Sequence, residues 1–597
     1  MDPVILTVFI VYMLVVVGVG IYAARRTAGV EGFFLADRSL GSWVVGLSAA
    51  ASSESGWLTL GCVGMGFVEG LSAIWIAVGC LLGFCFNWFV VAERLRRRSR
   101  ELSAVTVPDY LEAAVEDHSG AVRAIAVLII LLLMFTYVAA QLTAMGKAFD
   151  AMLGVPYLWG VLLGAAVTII YTTAGGFRAV SWTDVLQGLM MAGALSLLPL
   201  LVIFGELGGP ARFWARLGAQ EEAVAVNLEV RWPGGRERVQ LREGELVLDP
   251  ASRPPLRLRE PGEAGPAVLS LGREQGGVAC HFVVRERGAA RIVRGEGAAQ
   301  PAPKQGTLGE GEALVLGGVK ISVIGTAELK GGGELASLTG RRGRLAFLGF
   351  LLGMLGIGLG YPGTPHVITR FMATRDSKEI RRGRAIALTW GALSLSGAIF
   401  LGMGVRCLMP ELTDPEYGIL AISRRFLPPL YAGLVLAAVV SAVRSTIDSQ
   451  LLVAASAVAR DAYQKLFGRE LSEERMVALS RAVVVVLGVA AVGLAAMRAR
   501  VVFWFVLFSW AGLGAAFGPA IVLSLCWKRL TRGGVIAAMV GGLATVFLWK
   551  LWLRGAIASA TGVDIYELVP AFFVALGAAV LFSLGGRQRE EQAPASR

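Results

Sequence analysis

Apolar runs of about twenty residues recur along this chain, and no other feature limits its fold so severely. "VILTVFIVYMLVVVGVGIYAA" begins at Val4 and "AIAVLIILLLMFTYVAA" at Ala124. As a helix, each run is long enough to cross a hydrocarbon core of ~30 Å. Inside lipid a backbone must satisfy its own hydrogen bonds, so such runs form helices. Charge is correspondingly sparse, at 17% of residues, where a soluble domain carries about 25%. The first run lacks a basic head and a small-residue cleavage site, so it is expected to be a retained span. About thirteen spans are expected, near 4–24, 40–70, 72–92, 121–152, 156–175, 179–206, 344–372, 384–407, 428–462, 476–497, 502–527, 532–553 and 567–585.

A net charge of +12 would suggest nucleic acid on a soluble protein. Here the basic residues gather in four short loops: Ala23–Arg26, Glu93–Arg100, Arg375–Arg384 and Trp527–Gly534. With an odd span count and the N-terminus outside, all four lie on one side, which the positive-inside rule makes cytoplasmic. The C-terminus is then cytoplasmic, ending in a tail at 587–597 expected to be disordered. Residues 206–342 break the apolar pattern. Runs such as "NLEVRW" and "CHFVVRERG", with Gly and Pro between them, alternate with period two and predict a small β-rich domain. It falls on the outer side, between two spans, and is expected to be dispensable: replacing about Pro210–Leu338 with a linker should preserve transport. The six cysteines have no paired spacing, so neither a zinc site nor a disulfide framework is indicated.

Two spans cannot be smooth helices. "SAAASSESGWLTLG" (Ser48–Gly61) places Glu54, serines and glycines inside an apolar region. "LLGMLGIGLGYPGTPHVITR" (Leu351–Arg370) carries Gly353, Gly356, Gly358, Gly360 and Gly363 with Pro362 and Pro365, which interrupt helical hydrogen bonding. Freed backbone groups at membrane depth are tolerated only where they line a cavity or bind something. Each break opens a five-span group, about 40–206 and 344–527. Breaks at matching places in two halves point to an inverted-repeat transporter with its site near the midplane.

Four stretches, in order, carry a family resemblance: "ADRSLGSWVVGLSAAASSESGWLTLG", "TTAGGFRAVSWTDVLQGLMM", "GLGYPGTPHVITRFMATRD" and "SAVRSTIDSQLLVAASAVARDAY". The chain resembles the sodium:solute symporter family, most closely its sodium/proline branch. The resemblance implies an all-α membrane protein with a five-plus-five inverted-repeat (LeuT-type) core. The expected division is 1–205 for an extra first span and the first repeat, 206–342 for the insertion and 343–527 for the second repeat. Two C-terminal spans at 528–586 and the tail follow. It further implies symport of a small organic solute, an amino acid such as proline, driven by Na+ or alternatively H+, in a bacterial plasma membrane. The sodium ligands implied are the carbonyls of Ala51, Glu54 and Ala442 and the hydroxyls of Ser445 and Thr446. The solute site implied combines Ser55, Gly56 and Trp57 with Tyr361 and Pro365. Arg38 and Asp184 match charged positions tied to sodium-dependent transport.

The chain also departs from that branch. Ser53 stands where the family has an aspartate, and Ile357 where a tryptophan is expected. Glu54 and Arg444 replace methionines. Two charges inside the membrane need partners, so a Glu54–Arg444 ion pair is expected, with Asp448 sharing the arginine or competing for it as its i+4 neighbour. Alternative solutes are other carboxylates or sugars. An alternative role is a transporter-like sensor whose insertion is a regulatory module. No metalloprotease His-Glu-x-x-His and no phosphate-cradling loop occurs among the residues, which argues against an enzyme. The expected partners are the solute and the lipid bilayer. Nothing indicates nucleic acid or a protein partner.

Overall fold

The computed structural model describes residues 2–25, 29–497 and 502–592, apart from residue 222 and short connections between strands from 234 to 311. The first helix, α1 (Pro3–Ala24), starts where the Asp2 carboxylate accepts the N–H groups of Val4 and Ile5. Such a cap satisfies donors that the first turn leaves open. The same device starts other helices, with Asp376 capping the helix Ser377–Leu408 and Thr531 capping Arg532–Leu548.

Eleven helical stretches among the described residues are long and apolar enough to cross a membrane. The tally differs from the about thirteen expected for two reasons. Trp57–Glu101 forms one stretch although Gly70, at φ +59°, turns the chain within it. Tyr157–Ile170 is counted apart as a shorter apolar helix, although the helix that holds it runs on from Tyr157 to a bend at Gly176. The helix Tyr157–Leu200 bends at Gly176 (φ 61°, ψ −170°). A side chain there would strike the Phe33 ring at 2.7 Å, so a glycine is required by both the backbone and the contact. The last helix, Leu568–Gln592, continues into the stretch expected as a disordered tail, and 593–597 lie outside the described residues. Arg26 of the first basic loop also lies outside them.

Both expected breaks are present. The helix α2 (Ser42–Ser53) stops at Glu54, which is extended at φ −106°, ψ 104°. A π-helical turn, Trp57–Cys62, then leads into α3 (Val63–Glu69). In the second half α4 (Arg344–Gly356) passes into a 3-10 turn, Ile357–Gly363. Thr364 is extended at φ −98°, ψ 103° before α5 (Pro365–Met372) begins. The first break thus spans Glu54 and Ser55 between helical segments, and the second is the single extended residue Thr364. Their ends meet at Leu40 and Thr374, joined by a parallel bridge. Against them lies the long helix α6 (Pro429–Ser456), buried for most of its length.

The insertion forms two antiparallel sheets, with strands from Ala223–Trp232 to Val319–Leu329. Its core, including Val226, Leu228, Leu269, Phe282 and Ile321, is separate from the membrane core. The following strap holds it to the membrane part. Lys330 donates to the Glu69 carboxylate at 2.6 Å, and Arg342 pairs with the same group. Trp75 Nε1 donates to the Leu338 carbonyl. Removal of Pro210–Leu338 would therefore take anchoring residues with it. Ala223 faces Leu329 in the outer strand pair, so a short linker between them can replace 223–329 alone. That variant is expected to keep the thermal stability of the membrane part. Glu69→Ala, which leaves Lys330 and Arg342 uncompensated, should destabilise by about 1–3 kcal/mol. Thermal unfolding of the two purified variants distinguishes these outcomes.

Candidate functional site

Where α2 stops, its last carbonyls lose their helical partners. Two hydroxyls of α6 supply replacements. Ser445 donates to the Ala51 carbonyl at 2.9 Å and Thr446 to the Ser52 carbonyl at 3.3 Å. Both hydroxyls also reach back to the Ala442 carbonyl, each at 3.2 Å. Residues at i, i+3 and i+4 share one helix face, so Ala442, Ser445 and Thr446 confront the break together. This is a compact all-oxygen group of the kind a hard cation prefers. Four of the five expected sodium ligands meet here. The Glu54 carbonyl makes no hydrogen bond to either hydroxyl among the described residues; the Ser52 carbonyl faces Thr446 instead.

The expected solute residues divide into two groups. Ser55 and Gly56 are held by Gln141: its Oε1 accepts the Gly56 N–H at 2.9 Å and its Nε2 donates to Ser55 at 3.1 Å. Trp57 and Tyr361 instead wall a narrow cavity of about 10 Å³, with Ser53, Tyr137, Ile357 and Trp510 among its other residues. Pro365 is buried at the start of α5 and does not line it. Trp57 stacks on Phe503 and Tyr361 meets Trp510 edge-on, with ring centroids 5.5 and 4.8 Å apart. Gln141, Tyr137 and Trp510 were not anticipated. A glutamine directly after the apolar run Ala124–Ala140 was a legible signal for the first; the aromatics lie in spans where such residues are ordinary.

The expected Glu54–Arg444 pair does not form. Glu54 is fully buried and its Oε1 accepts the Tyr361 hydroxyl at 2.5 Å. Arg444 lies beside Asp448 of its own helix at 3.9 Å and donates to the Met13 sulfur of α1. Helical geometry explains the error. Residues advance about 100° each, so Arg444 points well away from the face that Ser445 and Thr446 present to the break. Asp448 in turn accepts the Thr172 hydroxyl at 2.5 Å.

Asp184 and Arg38 are far apart in role. Asp184 is fully buried and accepts Ser48 at 2.6 Å, Ser52 at 3.2 Å and Arg370 at 2.9 Å. Arg370 also donates to Ser48 and Ser449 and to the His366 carbonyl. The pair therefore ties α2, α5 and α6 to the helix Tyr157–Leu200, one turn from the Ser445 face. Arg370 was missed although an arginine in an interrupted apolar run is itself a signal. Arg38 sits outside this group, paired with Glu31 at 2.8 Å and donating to the Ala104 carbonyl. Near the insertion, Lys147 pairs with Asp414 and Glu416, at 2.9 and 2.7 Å. The Glu416 carboxylate also accepts the N–H groups of Val502 and Phe503. Phe503 thereby links this ion cluster to Trp57 and the cavity.

Two broken helices meeting around an oxygen cluster and a small aromatic cavity define an inverted-repeat secondary transporter. The family model "Sodium:solute symporter family" matches residues 33–247 and 319–542, and the chain belongs to this family. It is 31% identical to a sodium/proline symporter of Salmonella typhimurium, over 98% of this chain and 93% of that protein. It is 30% identical to the osmoregulated proline transporter OpuE of Bacillus subtilis, over 96% of this chain and 93% of that protein. A solved structure of a Na+-coupled sialic acid symporter shares the fold, with a TM-score of 0.64 and 16% identity, covering 98% of each chain.

The Asp184–Arg370 pair provides a direct test of how the site is held. Asp184→Asn or Arg370→Met alone leaves a buried partner uncompensated and should cost about 3–5 kcal/mol. Combining the two substitutions removes both charges. The double variant should be less destabilised than the sum of the single changes, as read by thermal unfolding.

Proposed function

We propose that the protein is a Na+-coupled symporter of proline that works by alternating access. The observation that carries this reading is the meeting of Ala51 and Ser52 carbonyls with the Ser445 and Thr446 hydroxyls across the first break. In the cation-bound state those hydroxyls turn their lone pairs to the ion, which joins the carbonyls of Ala51, Ser52 and Ala442. Na+ then ties α2 to α6 and sets the neighbouring Ser55–Trp57 backbone for the solute. Binding of the ion stabilises the arrangement that the solute needs, and the solute does the same for the ion, because coupling of this kind is reciprocal. The proline assignment follows the named activity of the relatives. In this reading the N-terminus lies outside, the C-terminus in the cytoplasm and the insertion outside, in a bacterial plasma membrane, as the basic loops on one side favour. The Asp184–Arg370 group then lies on the cytoplasmic side of the ion, and the Lys147 cluster on the outer side.

Uptake of labelled proline into proteoliposomes tests the reading. An inward Na+ gradient should drive accumulation that an equal K+ gradient does not. Ser445→Ala and Thr446→Ala should each raise the half-saturating Na+ concentration by about tenfold, equivalent to ~1.4 kcal/mol of lost ligation. Maximal uptake at saturating Na+ should change less. Proline accumulation that is indifferent to Na+ would contradict the proposal.

A further inference from the structure

The cavity beside the first break has an unusual balance of charge. Trp57, Tyr137, Tyr361 and Trp510 supply four aromatic residues to its wall, and no wall residue is cationic. Immediately behind the wall, the Tyr361 hydroxyl bonds Oε1 of Glu54. The other carboxyl oxygen, Oε2, is buried without a hydrogen-bond partner. Glu54 has no ion-pair partner among the described residues, and it is fully buried. A buried carboxylate without a counter-charge is costly. Aromatic faces attract ammonium groups, most of all alkylated ones. The side-chain acceptors of the wall are hydroxyl oxygens, those of Ser53, Tyr137 and Tyr361, and the Ser53 hydroxyl donates its proton to the Ala50 carbonyl. A primary ammonium would bury N–H groups without enough partners, whereas a substituted nitrogen carries fewer of them. Trp57 Nε1 is likewise buried without a partner and is a donor suited to a carboxylate.

We infer that the site selects its solute by the ammonium end, with Glu54 as the specificity-determining counter-charge. Its substrate class is amino acids and betaines whose nitrogen is secondary or more highly substituted. This rests on the reading of the protein as a proline symporter and extends it. The aromatic walls receive the nitrogen and its ring or methyl carbons, Glu54 balances its charge through or in place of the Tyr361 hydroxyl, and Trp57 meets the carboxylate.

Isothermal titration of the full chain in lipid nanodiscs at saturating NaCl tests this with three five-membered-ring carboxylates. Proline, N,N-dimethylproline and cyclopentanecarboxylate differ only at the nitrogen position. Proline and N,N-dimethylproline should bind, and cyclopentanecarboxylate should bind at least about tenfold more weakly. Glu54→Gln should shrink the ratio between proline and cyclopentanecarboxylate, and Glu54→Asp should restore part of it. Binding of N,N-dimethylproline without proline would overturn the proline assignment but support this inference. Cyclopentanecarboxylate binding within about threefold of proline would overturn it. So would an unchanged ratio in Glu54→Gln, or binding of none of the three compounds.

Discussion

A backbone carbonyl or N–H released from a helix inside a membrane must find another partner, and this structure is organised around that constraint. At the first break the partners come from elsewhere in the chain. Ser445 and Thr446 satisfy the carbonyls of Ala51 and Ser52, and Gln141 satisfies the Gly56 N–H. The surrounding helices are therefore placed by hydrogen bonds to the break, and not by apolar packing alone. In lipid that distinction matters, because apolar surface gains little by leaving an apolar solvent.

The two breaks have nearly the same backbone geometry and different chemistry. Glu54 and Thr364 are both extended, with closely similar φ and ψ. The second break satisfies itself: Thr364 donates its hydroxyl to the Tyr361 carbonyl at 2.8 Å, and Asn87 adds a contact to the same oxygen. Glycines let neighbouring backbone approach it, since a Cβ on Gly358 would collide with the Gly79 carbonyl. The first break thus gathers carbonyl and hydroxyl oxygens, while the second presents Tyr361 to the cavity. Ion pairs flank this region: Asp184 with Arg370, both fully buried, and Lys147 with Glu416 and the partly exposed Asp414.

Much of this was legible in the sequence because glycine, proline and charge have few innocent explanations inside an apolar run. The breaks within Ser48–Gly61 and Leu351–Arg370 followed from local chemistry, and the shared face of Ala442, Ser445 and Thr446, residues marked by the family resemblance, from helical period. The partner of Glu54 did not. Sequence places Arg444 next to Ser445, but adjacency along a helix turns the side chain to another face, toward Met13 and Asp448. Tyr361 became the partner only through the folding of the second break against the first. The same holds for Arg370 and Asp184, which lie 186 positions apart in the chain. Trp510 reaches the cavity because its Nε1 bonds the Ile357 carbonyl at 2.9 Å, a contact that no period in the sequence encodes.

The first break is proposed as an ion site built by α2 and α6. An experimental density map of the protein in Na+ and proline, compared with one prepared in K+, tests it most directly. An additional peak is expected in Na+, contacting the carbonyls of Ala51 and Ala442 and the hydroxyls of Ser445 and Thr446 together. A map in which those hydroxyls still donate to the Ala51 and Ser52 carbonyls, with the Na+ peak elsewhere, would contradict it.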